Sequence, residues 1–171
     1  MVRSLSFIHL FIILAVGYIG GVLLYREIPS ISLEKLLVLY DARVIQGHEA
    51  SFLKPIASMV VLFVVTFVVA SFQKTRFLVL FLGALNSVFF GLSSSYLLGS
   101  GMKMIEYAVW WFPFQFLACL FFLLYCAVLN PPYFTRTTIG NKRNPRALPV
   151  LVALSIGLLA AEMAVYYWIL A

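Results

Sequence analysis

Apolar residues gather along this chain into five long runs, residues 5–25, 55–72, 77–98, 107–129 and 148–170, and the only Asp, Glu, Lys or Arg within any of them is Glu162. Each run is close to the roughly 20 residues that an α-helix needs to cross the hydrocarbon of a bilayer. None shows the ten-residue alternation of a barrel strand, and in hydrocarbon a helix satisfies its own backbone hydrogen bonds. The pattern predicts an all-α, polytopic membrane protein, a single transmembrane domain 1–171 built as a five-helix bundle. The first run follows Arg3 and passes Ala15, Val16 and Gly17 without stopping, so it reads as a retained helix and not as a cleaved signal.

The longest break on the side opposite the N-terminus is residues 26–54. Within it Leu33, Leu36, Leu37, Tyr40 and Val44 recur at helical spacing, opposite Glu34, Lys35, Asp41 and Arg43. This predicts one amphipathic helix, started by Pro29 and Ser30 and stopped by Gly47. Such a helix lies on the membrane surface or on the other helices, and its Leu33, Leu37 and Tyr40 are candidates for docking a partner. The break at 130–149, NPPYFTRTTIGNKRNPRALP, is rich in Pro, Asn and basic residues. A loop facing anionic headgroups is expected there.

Composition agrees with the pattern: 64% of residues are hydrophobic and 11% charged, against roughly 45–50% and about 25% in soluble domains. The net charge of +6 is spread over short breaks, so it points to topology and not to nucleic acid. With the N-terminus inside, the inner breaks hold Arg3, Lys74, Arg76, Arg136, Lys142, Arg143 and Arg146 and no acid. The outer breaks hold Arg26, Lys35, Arg43, Lys54 and Lys103 mixed with Glu27, Glu34, Asp41, Glu49 and Glu106. The excess of Lys and Arg on one side predicts N-terminus inside and C-terminus outside. Cys119 and Cys126 stand seven residues apart on one run, about 10 Å along a helix and too far for a disulfide. With no cluster of Cys and His, neither metal nor cofactor is expected.

Small residues recur at every fourth position in the third run, at Gly83, Ser87, Gly91, Ser95 and Gly99, and again at Gly17 and Gly21 and at Ala153, Gly157 and Ala161. That spacing lets helices approach closely in lipid. The polar residues at membrane depth are His9, Asn86, Gln115 and Glu162, with His9 close enough to a helix end to reach headgroup water. Asn86 and Gln115 read as interhelical hydrogen-bonding groups. Catalysis would need a nucleophile beside a base, or a motif such as HExxH. The SSS at 93–95 is no nucleophile elbow, and HEAS at 48–51 lacks the second histidine, so no enzyme is expected. Pro113, in WWFPFQF, is positioned to kink the fourth helix.

Glu162 stands out, since an ionised group near a helix centre costs roughly 3 kcal/mol on the lenient insertion scale and calls for a partner or a proton. No Lys or Arg lies within any run, so the expected partners are Asn86, Gln115, serine hydroxyls, carbonyls or water. Three roles stay open: a protonated packing group, a proton or cation pathway, and a subunit interface that allows a homo-oligomer.

The order of these features resembles the stage II sporulation protein M (SpoIIM-like) family of bacterial integral membrane proteins. The likeness covers the whole chain: one span, an outer helical segment, then four more spans. FLVLFLGALNSVFFGLSSSYLL at 77–98 is similar to the family's middle region, with Gly91 at a glycine position; Pro113 stands where the family opens its fourth helix, and GLLAAEMAVYY is similar to its last helix. The resemblance implies a non-enzymatic scaffold in the bacterial plasma membrane that organises extracytoplasmic or membrane partners. In the namesake these are peptidoglycan-remodelling hydrolases at the septum during engulfment. The alternative is a small transporter or transporter subunit using Glu162 for proton or cation binding.

Overall fold

A computed structural model of the chain describes residues 2–46, 53–72, 74–75, 77–129 and 147–169. Gly47, the HEAS stretch and the break at 130–146 lie outside these residues. The elements are α1 (Val2–Glu27), α2 (Ser30–Tyr40), α3 (Arg43–Gln46), α4 (Leu53–Ser71), α5 (Phe77–Gly99), α6 (Met104–Glu106), a π-helical turn (Tyr107–Trp111), α7 (Phe112–Leu129) and α8 (Ala147–Ile169). No strand occurs among the described residues.

Five helices are long and apolar enough to cross a membrane: Ile8–Glu27, Leu53–Ser71, Phe77–Gly99, Met104–Leu129 and Ala147–Trp168. The fourth begins earlier than hydropathy alone indicates and is continuous through Pro113. Proline has no N–H and crowds the carbonyl four residues back. Just upstream the backbone widens to a π turn, in which Phe112 N–H donates to the Tyr107 carbonyl, so the disturbance is absorbed without ending the helix.

Helix α1 packs against α5 along the small-residue seam. A methyl group added at Gly17 would lie 2.7 Å from Ser87 Cβ. One at Gly21 would run into the Val88 carbonyl, and one at Gly91 into the Tyr18 carbonyl. Gly83 faces Leu123 on α7. The small residues of α8 behave differently: Ala153, Gly157 and Ala161 are exposed, and Gly157 has open space where a side chain would stand. The bundle is therefore built on close α1–α5 contact, with Trp110, Trp111, Phe90 and Phe122 buried beside it.

Helices α4, α7 and α8 share a hydrophobic cluster with α5. There Phe63 packs on Phe122 and Tyr125, with ring centroids 5.4 and 4.7 Å away, and Leu148, Leu151 and Val152 close over the same cluster. Nearer α2, residues of α4 and α8, with others of α2, α5 and α7, line a cavity.

Candidate functional site

The segment after α1 departs from a single amphipathic helix. It starts as expected, with Ser32 and Leu33 N–H donating to the Pro29 carbonyl, but α2 ends at Tyr40. Asp41 is extended, at φ −150° and ψ 110°. Its side-chain Oδ1 accepts the Arg43 N–H at 2.9 Å, an Asx turn that starts α3. The break shifts the helical phase. Asp41 and Arg43, placed on the polar face by an uninterrupted periodicity, are instead turned into the protein, at 5% and 4% exposure.

The turned-in Arg43 supplies the cation that the apolar runs lack. Its Nε lies 3.0 and 3.1 Å from the two Asp41 oxygens, and its Nη2 is 2.6 Å from Asp41 Oδ2 and 2.7 Å from Glu162 Oε1. Nη1 points at the Met163 sulfur, 3.1 Å away. The guanidinium carbon sits 5.8 Å from the Trp110 ring centroid and 5.9 Å from that of Tyr166, within cation–π range. Burial alone would lower the Arg43 pKa; Glu162 and Asp41 outweigh it and raise the pKa above its ordinary value. The cation is fixed.

Gln115 extends the cluster. Its Nε2 donates to Glu162 Oε1 at 3.4 Å, and its Oε1 accepts from the Tyr40 hydroxyl at 3.3 Å. Withdrawal of that hydroxyl from water, with Cys119 and Asp41 nearby, pushes the Tyr40 pKa well above its ordinary value of 10.0. Tyr40 also stacks on Phe89, with centroids 5.4 Å apart. The cluster thus ties α2 and α3 to α5, α7 and α8. It holds two carboxylates on one guanidinium, and a buried pair of this kind is strongly destabilised by loss of one partner.

The other expected positions resolve as follows. Glu162 is buried and has Arg43 and Gln115 as partners, so the expectation of a carboxylate without a cation is corrected: the partner comes from the segment between α1 and α4. Asn86 donates from Nδ2 to Cys119 Sγ at 3.3 Å. His9 is exposed on α1. Leu33 and Leu37 are buried at 5% and 0% exposure and Tyr40 is half-buried, so the face assigned to partner docking is occupied by the chain's own core. Among the apolar residues of α2, Ile31 and Leu39 are the most exposed, at 71% and 76%. No group of His, Cys, Asp and Glu suited to a metal ion occurs among the described residues.

Beside the cluster lies a cavity of about 740 Å³. Leu62 of α4, Leu82 and Phe89 of α5, Phe122 of α7 and Leu158 of α8 are among its walls, and Tyr40, Asp41, Arg43, Gln115 and Glu162 form one polar end. Its volume falls in the usual range of roughly 300–1,000 Å³ for small-molecule sites. Comparisons of the chain with protein-family models, with curated proteins and with solved structures return no match.

Proposed function

We propose that the chain is a non-enzymatic membrane scaffold in which α2 and α3, clamped to the bundle through Asp41, Arg43 and Glu162, form a fixed platform for an extracytoplasmic or membrane partner. The clamp carries this reading: a segment that only linked two spans would not need a buried cation joined to a residue 119 positions away. A preorganised surface pays less ordering entropy on binding than a mobile one. The face offered is that of Ile31 and Leu39, eight residues apart on α2 and both exposed. The resemblance to the stage II sporulation protein M family supports the same role, with cell-wall hydrolases at a septum of the bacterial plasma membrane as the partner class.

Photo-crosslinking in native membranes tests this. A crosslinker at Ile31 or Leu39 should give one discrete protein adduct, absent with the probe at Val16 on α1, which is 64% exposed. The adduct should disappear in an Arg43→Ala background that remains folded. Adducts to lipid alone at both α2 positions would overturn the scaffold.

A second reading rests on a different observation. Two carboxylates share one guanidinium at the end of a cavity, an arrangement that suits proton or cation binding by a transporter or transporter subunit. Its mark is a pH-driven flux in proteoliposomes that Glu162→Gln abolishes. Flux unchanged by that substitution removes Glu162 from transport.

A further inference from the structure

The second reading places a cation at Glu162, and the cavity beside it bears on what kind of cation that is. Its polar end holds the carboxylates of Asp41 and Glu162 against the single guanidinium of Arg43, an excess of negative charge when both acids are ionised. Asp41 takes the fork of Nε and Nη2. Glu162 lines the cavity and is 2% exposed. Both described donors to its side chain, Arg43 and Gln115, reach Oε1, which leaves Oε2 as the acceptor open to a ligand. Lys35 and Lys54 also line the cavity, but both are exposed and Lys54 has a partner of its own. In contact with water they weigh little against a buried carboxylate.

The rest of the cavity is unlike a site for a bare ion. A hard metal ion takes several oxygen ligands, and no group of three or more His, Cys, Asp and Glu suited to one occurs among the described residues. The volume is about 740 Å³, and Leu62, Leu82, Phe122 and Leu158 make the walls apolar. Tyr40, next to Asp41, and Phe89, stacked on it, add aromatic surface, which attracts a cation. Leu39, Val61 and Val65 of the lining are 76%, 59% and 43% exposed, which gives a molecule dissolved in the bilayer a way in.

We infer that the cavity binds an organic cation with an apolar body, a lipophilic amine. Its ammonium donates to Glu162 Oε2, and its hydrocarbon part lies against α4, α5 and α8. A proton or an inorganic ion leaves the apolar volume unused, an anion meets the excess carboxylate, and a neutral hydrocarbon leaves Oε2 unpaired. The inference rests on the second reading for its cation site, and the cavity shares Leu39 with the face of the scaffold reading.

Equilibrium dialysis of the protein in nanodiscs, against empty nanodiscs at neutral pH, tests it. The probes are 1-naphthylmethylamine, its neutral isostere 1-naphthylmethanol and the anion 1-naphthoate. The amine should bind about tenfold more tightly than the alcohol, because a hydrogen bond between ionised groups is the stronger kind, and the anion should be the weakest of the three. Glu162→Gln should bring amine and alcohol to parity. Ala118→Phe fills the cavity from a half-buried position one turn from Gln115 and leaves the charges in place, so it should weaken both. Each variant is checked for folding by the protection of the buried Cys119 and Cys126 thiols. Equal binding of amine and alcohol by the unaltered protein would overturn the inference, whatever the variants do. So would a preference that survives in folded Glu162→Gln, unchanged binding by folded Ala118→Phe, or naphthoate bound as tightly as the amine. The assay reads binding and not passage. Amine binding that depends on Glu162, without pH-driven flux, sustains the ligand and removes the transporter; flux without a preference for the amine does the reverse.

Discussion

Arg43→Ala is the most informative single change in this protein. It removes the guanidinium that holds Asp41 and Glu162, leaving two carboxylates at 5% and 2% exposure with no cation between them. Deleting one partner of a buried ion pair typically costs about 3–5 kcal/mol. Glu162→Gln is milder: the amide oxygen still accepts from Arg43, and Arg43 keeps its fork on Asp41, so the loss is on the order of one hydrogen bond, about 1 kcal/mol. At about 2–4 °C per kcal/mol for chains of this size, Arg43→Ala should lower Tm by about 6–20 °C and Glu162→Gln by about 2–4 °C. Arg43→Lys should fall between them, since an ammonium keeps the charge but cannot form the fork. The chain carries its own reporters, because Cys119 and Cys126 are 1% and 0% exposed. Thermal unfolding in detergent, followed by a thiol-reactive fluorophore, measures all three variants. If Arg43→Ala and Glu162→Gln melt together, the buried charge is compensated elsewhere and the clamp is refuted.

The helix seam, the cluster and the topology give further expectations. Gly21→Ala should destabilise by about 1–3 kcal/mol through collision with the Val88 carbonyl, whereas Gly20→Ala, with open space at its Cβ, should be neutral or stabilising; the same thiol assay ranks them. Tyr40 stays protonated in the folded protein well above its ordinary pKa of 10.0. Its contribution is therefore complete below pH 10 and is lost as pH rises above it, since the unfolded phenol ionises first. Tyr40→Phe should flatten the fall in Tm above that pH. Single cysteines at Lys74 and Lys103 should label from opposite faces of sealed cells, Lys103 from outside; labelling of Lys74 from outside would invert the proposed orientation.

The five spans were legible because burial in lipid leaves a one-dimensional signal: long apolar runs with charge confined to the breaks. The close contacts of Gly17, Gly21 and Gly91 were visible as small residues four apart. The same spacing misled at Ala153, Gly157 and Ala161, which face outward, since small residues permit contact without specifying a neighbour. At the candidate site the sequence exposed Glu162 and its partner Gln115 but not Arg43. A helical periodicity carried through residues 41–43 puts Arg43 on the solvated face, next to an acid that looks like an ordinary surface partner. The one local signal was Asp41 itself, four residues after Leu37 and two before Arg43, a residue type that accepts the N–H two positions on and breaks helices. Once α2 stops at Tyr40, the phase is lost, and both charges swing toward a carboxylate that sequence spacing cannot connect to them.

The clamp of α2 and α3 on the bundle is the central claim, and hydrogen–deuterium exchange in lipid nanodiscs measures it directly. Residues 30–46 should exchange slowly in the unaltered protein, at rates approaching those of α5 and α7. In the Arg43→Ala variant, protection should fall across residues 30–46 while α5 and α7 remain protected. Fast exchange of residues 30–46 in the unaltered protein, or protection there that is indifferent to Arg43, would contradict the account.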